Sequence, residues 1–375
     1  MAKALSSGRR QCETERIGLV TTASTTFTEP YNLARQFKAL DVITHGRAGC
    51  NAETTSGKSP RRTSARRSRR ARRITNVPTR SSRSSRHCGA AGRRTSGFST
   101  STASGRRHGQ DPAGQPTGQA RSLPRPAAHP PSEQGQPVIF QAGGGSYGLE
   151  LAGRYASGVY ASPYTIEDAR AQRQALRDAA KRAGRDPDEV KMLAGFMPTI
   201  APSHKAALQR RRFLDEVVDL SQRVRYLGSM IGLPLGPGQL DEPLTTEQLA
   251  DAMRRRHTRP ARPALRRALE VAKEGWSLRD VLAHGVIDYH PVVAGTATDL
   301  ADHMQEWFET GACDGFSIAV DSYHDGLDAF ADQVVPILQE RVLFHDDYEG
   351  PTLRENLGTH EQYSLDPRLT KPARS

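Results

Sequence analysis

A strand, a helix and a second strand follow one another in residues 16–51, and this unit limits the fold more than any other stretch. Ile17 to Val20 is an apolar run flanked by threonines, which is typical of a buried strand. A helix is predicted next, because apolar residues recur at helical spacing after a Glu-Pro first turn: Leu33, Phe37 and Leu40. Arg47 to Asn51 gives the second strand. A unit of this kind builds a parallel sheet with helices packed on it.

Short motifs in a fixed order run through the same unit. They are Gly18 to Val20, Thr22 to Thr26, Glu29 to Tyr31, Ala34-Arg35, Leu40-Asp41 and Gly46 to Gly49. Together they resemble the nitrilotriacetate, pristinamycin and dibenzothiophene-sulfone monooxygenase group of the bacterial-luciferase-like flavin enzymes. Cys50 departs from that pattern, since the group usually has an aromatic residue before the asparagine that matches Asn51.

The resemblance extends over residues 15–57 and 134–360, and it implies a (β/α)8 TIM barrel of luciferase-like type. Six strands can be placed in the sequence, around Ile17, Arg47, Val138, Val159, Met192 and Phe316. Relatives have two strands before the one that matches Ile17, and the preceding residues are too few to supply them. We therefore expect an α/β fold in which the barrel is incomplete and its first two strands are absent.

Positive charge is concentrated in residues 58–133. The formal net charge is +12, yet this segment alone has seventeen Arg and one Lys against one Asp and one Glu. It has so few large apolar residues that burial cannot offset the entropy of ordering it, and we predict disorder. One interpretation is an Arg-rich arm that binds nucleic acid, although aromatic residues for stacking on bases are lacking. The other, which we favour, is a GC-rich coding region translated out of frame.

Four regions follow from these patterns. Residues 1–57 would contain the third and fourth barrel strands, 58–133 the Arg-rich segment, 134–360 the remainder of the barrel and 361–375 a flexible tail. A second Arg-dense patch, Arg254 to Arg267, is either a solvated helix face or a shorter out-of-frame stretch, and we lean towards the latter. Further on, helical spacing places three apolar residues of one helix in register on the same face: Leu300, Met304 and Phe308.

A glycine-rich turn follows the predicted strand at Pro137 to Phe140 and precedes a helix. Glycines in this position let backbone N–H groups converge on an anion, and the helix dipole favours negative charge. The resemblance implies that the turn binds the flavin phosphate through Gly143, Gly144, Gly145 and Ser146. Relatives usually have a serine at the position of Gly145, so either Ser146 substitutes for it or the hydroxyl contact is lost.

The resemblance also implies the reaction. In this group, reduced FMN (FMNH2) made by a separate NAD(P)H:FMN reductase reacts with O2, and one oxygen atom is inserted into a small organic substrate. Thr22, Asn51 and Thr54 are the residues expected to line the flavin ring. The sequence identifies neither a catalytic residue nor the substrate, and it leaves a homo-oligomer open.

Other kinds of site are not indicated. Cys12, Cys50, Cys88 and Cys313 have no paired spacing, so neither a disulfide framework nor a zinc site is predicted. Among the histidines, His290, which lies upstream of a strand-like turn, is the strongest candidate for a functional role, although a packing role is the simpler interpretation. No stretch approaches the ~18 apolar residues of a membrane span, and no signal-peptide core is present. We expect a soluble, cytoplasmic protein.

These expectations combine into an FMN-dependent monooxygenase that is impaired in this chain. Missing strands would expose sheet edges, and an acidic residue, a His and a Tyr that approach the flavin in relatives have no counterpart here. We therefore expect weak flavin binding and little activity. The alternatives are an Arg-rich nucleic-acid-binding protein on a degenerate barrel, or a non-functional gene remnant.

Overall fold

The computed structural model describes residues 14–26, 28–53, 131–142, 145–256 and 263–362. The strands in these ranges are β1 (Leu19–Ser24), β2 (Ala48–Glu53), β3 (Val138–Ala142), β4 (Gly158–Ala161), β5 (Lys191–Ile200), β6 (Val292–Gly295) and β7 (Gly315–Ile318). The α-helices are α1 (Pro30–Ile43), α2 (Ser146–Tyr155), α3 (Ile166–Arg182), α4 (His204–Asp215), α5 (Leu220–Ile231), α6 (Thr246–Arg256), α7 (Pro263–Lys273), α8 (Leu278–Ala283), α9 (Ala297–Glu309), α10 (Gly326–Ala329), α11 (Val335–Glu340) and α12 (Leu353–Asn356). Within the described residues, no helix has the length and apolar character needed to cross a membrane.

The chain forms two compact units. The first comprises the described residues up to Gln141, Arg154–Ser157 and the residues from Glu349 onward. The second comprises Ala142–Gly153 and Gly158–Tyr348. The strands β1, β2 and most of β3 therefore belong to the first unit, and β4 to β7 belong to the second.

Three parallel strands and α1 make the core of the first unit. β2 pairs with β1 on one side and with β3 on the other. The predicted helix is present. Its residues Leu33 and Phe37 pack against Cys50 of β2 and Ile139 of β3 on one face of the sheet. Side chains alternate along a strand. Gly49 and Asn51, which flank Cys50 in β2, therefore belong to the opposite face of the sheet.

A buried polar network attaches the chain before β3 to α1. The carboxylate of Asp41 accepts hydrogen bonds from Ser132 Oγ and Gln134 Nε2, each at 2.5 Å. Lys38 Nζ donates to the carbonyl oxygen of Gly135 at 2.5 Å. Burial raises the pKa of Asp41 to about 6, although these hydrogen bonds and the charge of Lys38 act to lower it. Burial also lowers the pKa of Lys38, so the low-dielectric surroundings disfavour both charges.

β5 is the strand with most partners in the second unit. Its first residues pair with β4, its middle with β7 and its last four with β6, all in parallel. Pro198 lies inside β5, where its missing N–H would interrupt a ladder. The ladder with β7 ends near Phe196, whose carbonyl oxygen accepts from Ala319 N at 3.0 Å. The proline therefore falls beyond the end of that ladder. In the ladder with β6 it is registered with Val293, but there the neighbouring Met197 N donates, to Pro291 O at 2.9 Å. Successive N–H groups of a strand point to opposite edges, so neither ladder needs an N–H at Pro198.

Helices of the second unit bury a separate apolar core, with Leu227 of α5, Leu269 of α7 and Leu282 of α8 among its members. α3 begins after Thr165, whose hydroxyl accepts from Asp168 N at 3.2 Å. α4, α5, α8 and α9 begin with the same kind of cap, in which a Ser, Asp or Thr side chain accepts a hydrogen bond from a backbone N–H of the first turn.

The structure bears on three further sequence predictions. The count of six strands is wrong, because the four apolar residues of β6 form a seventh described strand; a run so short carries little periodic signal. Residues 263–267 of the Arg-dense patch Arg254 to Arg267 begin α7 and include the core residue Leu265, which favours the helix over the out-of-frame alternative. In α9 Leu300 is buried, but the buried aromatic residue is Trp307, which is 6% exposed, whereas Phe308 is 49% exposed.

Candidate functional site

Thr22 of β1 and Asn51 of β2 lie opposite each other in the parallel ladder. Nδ2 of Asn51 donates to Oγ1 of Thr22 at 3.2 Å. Asn51 is 8% exposed, whereas Thr22 is exposed although it lies within a strand. The other end of the amide, Oδ1 of Asn51, is buried and has no hydrogen-bond partner among the residues that the structure describes. Buried amide oxygens are normally bonded, so this oxygen can accept a hydrogen bond from a ligand.

Leu353 of α12 covers the same face of the sheet nearer the amino ends of the strands. A Cβ added to Gly49 would lie 3.2 Å from Leu353 Cδ2, and one added to Gly18 would lie 2.5 Å from Cδ1. Both glycines therefore make room for the leucine. The polar pair Thr22 and Asn51 lies further along, towards the carboxyl ends, where parallel α/β sheets bind their ligands.

The glycine-rich turn predicted to bind phosphate is described only in part. Thr54, Gly143 and Gly144 lie outside the described residues. Gly145 and Ser146 are exposed at the N-terminus of α2, whose first turn has no acidic residue. A Cβ added to Gly145 would meet no atom of a described residue within 4 Å. An open helix N-terminus without a competing carboxylate suits an anion.

Ser162 and His290 meet at the carboxyl end of β4, in the second unit. Oγ of Ser162 is 3.0 Å from Nδ1 of His290. The imidazole packs on Gly195 of β5 so closely that a Cβ there would collide with the ring. Burial lowers the pKa of His290, so the ring is neutral at pH 7. The sequence singled out His290 only by its place before a turn, and it gave no signal for Ser162, which is 128 residues away.

The family model described as luciferase-like monooxygenase matches residues 94–313, more than half of the chain. The chain belongs to the luciferase-like monooxygenase family. This is a family of flavin-dependent oxidoreductases, and the parallel strands with intervening helices fit its TIM-barrel type of fold. The predicted fold class, α/β of the luciferase-like barrel type, and the predicted class of enzyme are therefore confirmed.

Relatives of this luciferase-like chain are similar over most of its length. N-acetyl-S-(2-succino)cysteine monooxygenase of Bacillus subtilis (strain 168) is 32% identical, over 92% of this chain and 78% of that protein. Dibenzothiophene-sulfone monooxygenase of Rhodococcus erythropolis is 30% identical, over 92% of this chain and 76% of that protein. The solved structure of EDTA monooxygenase from Chelativorans sp. BNC1 has a TM-score of 0.74 and 25% identity, over 96% of this chain and 82% of that one.

The narrower group predicted from the short motifs is also confirmed. Besides the dibenzothiophene-sulfone enzyme, the relatives include a nitrilotriacetate monooxygenase component of Aminobacter aminovorans and a pristinamycin IIA synthase subunit of Streptomyces pristinaespiralis. Six motifs of two to five residues were sufficient because their order and spacing, rather than any one of them, carry the signal.

Proposed function

We propose that this protein is the oxygenase of a two-component system that uses reduced FMN and O2 to oxygenate a small organic substrate. Family membership supports the reaction class. Two relatives are named as one component or one subunit of a larger enzyme, which supports a separate partner. In this proposal the partner is an NAD(P)H-dependent FMN reductase. Bound reduced FMN would supply the two electrons with which O2 delivers one oxygen atom to the substrate and leaves the other as water.

The observation that carries the proposal is Oδ1 of Asn51, which no described residue bonds. Its Nδ2 is held by Thr22, so the orientation of the amide is set and Oδ1 remains as an acceptor. The reduced flavin ring has N–H groups that such an acceptor can bind. Filling this buried position would also remove the free-energy cost of an unbonded polar atom. Thr22, Asn51 and Thr54 would bind the ring in this proposal.

The phosphate end of the cofactor would be bound by the turn Gly143 to Ser146. The open space around Gly145 and the lack of an acidic residue in the first turn of α2 support this assignment. Backbone N–H groups at such a terminus bind phosphate without a basic side chain. The protein's contribution is then to bind and orient the cofactor and to keep water from the reacting atoms.

Anaerobic titration of the purified full-length protein with FMNH2 tests the proposal. We expect saturable binding and, after O2 is admitted with a panel of organic sulfur and amine compounds, oxygenated product. Asn51→Ala should weaken the affinity about fivefold, since it removes one hydrogen bond worth about 1 kcal/mol. Ile139→Val, on the opposite face of the sheet, is the control and should leave the affinity unchanged.

The outcomes separate the alternatives. No saturable FMNH2 binding would contradict the proposal, and salt-sensitive DNA binding in the same preparation would favour the nucleic-acid-binding alternative. The same titration tests the predicted impairment of flavin binding and activity. Micromolar affinity with rapid turnover would contradict it, whereas much weaker binding with slow turnover would agree with it.

A further inference from the structure

Asp288 is the centre of a buried ion cluster in the second unit. Its carboxylate accepts hydrogen bonds from Nη2 of Arg211 at 2.8 Å and from Nη2 of Arg223 at 2.7 Å. Arg211 also pairs with Asp215 at 3.1 Å. The side chains of Arg211, Asp215 and Asp288 are 8%, 7% and 11% exposed. Two cations and two anions thus neutralise one another largely out of contact with solvent.

The backbone of Asp288 is held as firmly as its side chain. Tyr164, which follows β4, donates its hydroxyl to the carbonyl oxygen of Asp288 at 2.6 Å. Burial and the charge of Asp288 raise the pKa of Tyr164 to about 12, so the hydroxyl remains a donor throughout the neutral range. Nη1 of Arg211 contacts the sulfur of Met197 at 2.7 Å, which joins the cluster to β5. Asp288 is therefore fixed from α4, α5 and the chain after β4.

His290 lies two residues beyond Asp288 and is fixed by different contacts. Its ring rests on Gly195, its Nδ1 is bonded to Ser162, and Tyr289 lies edge-on to it at 4.6 Å between ring centroids. Replacing a buried ion cluster by apolar residues of the same volume is often neutral or even stabilising, so such a cluster is weak evidence for a stability role. The contacts of Asp288 do fix the turn that carries His290.

We propose that Asp288 is a positioning residue: it holds the turn Asp288 to His290 so that the imidazole is presented beside Ser162 as a fixed hydrogen-bonding group for the oxygenation reaction. This inference rests on the proposed function. A displacement of about 1 Å in such a group can reduce a rate by about a hundredfold. The cluster would therefore act on the reaction through His290, without contact between Asp288 and the reacting atoms.

Asp288→Asn tests the inference, because it keeps the size of the side chain and removes the charge that both arginines bind. The histidines are labelled at Cε1, and the resonance of His290 is assigned with His290→Gln. We expect the pKa of His290 to rise towards its ordinary 6.5 as the ring loses its burial, and kcat to fall at least tenfold with KM nearly unchanged. Asp314→Asn is the matched control, since Asp314 is a similarly buried partner of Arg173 in the same unit. Asp314→Asn should change neither the pKa of His290 nor kcat.

An unmoved His290 titration in Asp288→Asn, equal to that of Asp314→Asn, would overturn the inference. If Asp288→Asn does not fold, Tyr164→Phe takes its place, because it removes only the hydrogen bond to the Asp288 carbonyl. A smaller rise in the pKa of His290 is then expected, and no rise overturns the inference. The titration of His290 requires no flavin. If the wild-type protein fails to bind FMNH2, the proposed function is disproved, but the titration of His290 can still be interpreted.

Discussion

Each of the two units buries a polar network, and the two networks differ in how completely their atoms are bonded. In the first unit, both carboxylate oxygens of Asp41 accept hydrogen bonds, one from Gln134 and one from Ser132. In the second unit, Nε of Arg211, Nε of Arg223 and Oδ2 of Asp215 are buried, and none of them has a hydrogen-bond partner in the described part of the chain. A satisfied network rigidifies a fold, whereas each unpaired buried atom costs about 1 to 3 kcal/mol.

The difference indicates two roles. The network around Asp41 extends through Gln134 Oε1, which accepts from Arg354 N at 3.2 Å, and so fastens α12 within the first unit. The adjacent Leu353 covers part of the face that carries Asn51. The cluster around Asp288 instead adjoins His290. Damage to either network should destabilise its own unit, and damage to the second should in addition displace His290.

The largest effect is expected from Asp41→Ala. It would leave the buried ammonium of Lys38 without a counter-charge and two hydrogen-bond donors without their acceptor, at a cost of about 3 to 5 kcal/mol. The free energy of unfolding in urea measures this loss. Asp302→Ala is the control, because its pair with Arg341 is exposed and contributes at most about 1 kcal/mol. Equal losses in the two variants would contradict the role given to the network.

Acidification should affect the two units in opposite directions. The pKa of Asp41 is raised to about 6, so its contribution to stability is fully present below pH 4 and is lost as the pH rises through 6. Burial lowers the pKa of His303 to about 4, so its contribution is present above pH 6.5 and is lost as the pH falls through 4. For Asp41 the change is up to about 3 kcal/mol. His303 packs against Phe196 and Trp307 in the second unit.

Amide hydrogen exchange, corrected for the intrinsic effect of pH, measures this contrast. Between pH 7 and pH 4.5, protection of α1 should increase and protection of α9 should decrease. Asp41→Asn should abolish the first change and His303→Gln the second. Parallel changes in both helices of the wild-type protein would show that the two titrations are not local to their units.

Gly195→Ala should have an intermediate effect. The added Cβ would collide with the ring of His290, and overpacking of this kind costs about 1 to 3 kcal/mol. Displacement of the ring should raise the pKa of His290 towards 6.5 and lower kcat. Gly238→Ala is the control, because a Cβ there meets no atom within 4 Å. If both substitutions leave the titration of His290 unchanged, the ring does not depend on its contact with Gly195.

The smallest effect is expected from Thr22→Val, which keeps the shape of the side chain and removes the oxygen bonded to Asn51. The amide of Asn51 then loses the contact that sets its orientation, and FMNH2 affinity should fall about twofold to fivefold. Stability should change little, because Thr22 is exposed. Calorimetric titration measures the affinity. Tighter binding by Thr22→Val would show that the hydroxyl opposes the ligand.

The sequence predicted those parts of the fold that depend on neighbouring residues. The face of α1 with Leu33 and Phe37 is buried as expected, because helical periodicity is a local signal. In α9 the same reasoning selected Phe308 in place of Trp307. An advance of seven residues from Leu300 returns to the same helical face, whereas eight residues rotate by about 80° away from it.

The pairing of distant residues was not predictable in the same way. Ser162 and His290 are 128 residues apart, and Arg211 and Asp288 are 77 residues apart. No spacing rule links such positions, and only the sheet and the helices around it bring them together. Thr22 and Asn51 were found because the resemblance named them, and the structure adds that their side chains are hydrogen-bonded.

The order in which β5 acquires its partners has a consequence for the protein during its synthesis. β4 precedes β5 and can pair with it at once, but β6 and β7 come later, and Met192 N of β5 bonds to Asp314, which is 122 residues away. At about 5 to 20 residues per second, translation of that distance takes roughly 6 to 24 s. Throughout that interval the unpaired edge of β5 is open to other chains. A chaperone that binds extended apolar segments should therefore recognise the nascent chain after β5 and release it once β7 has emerged.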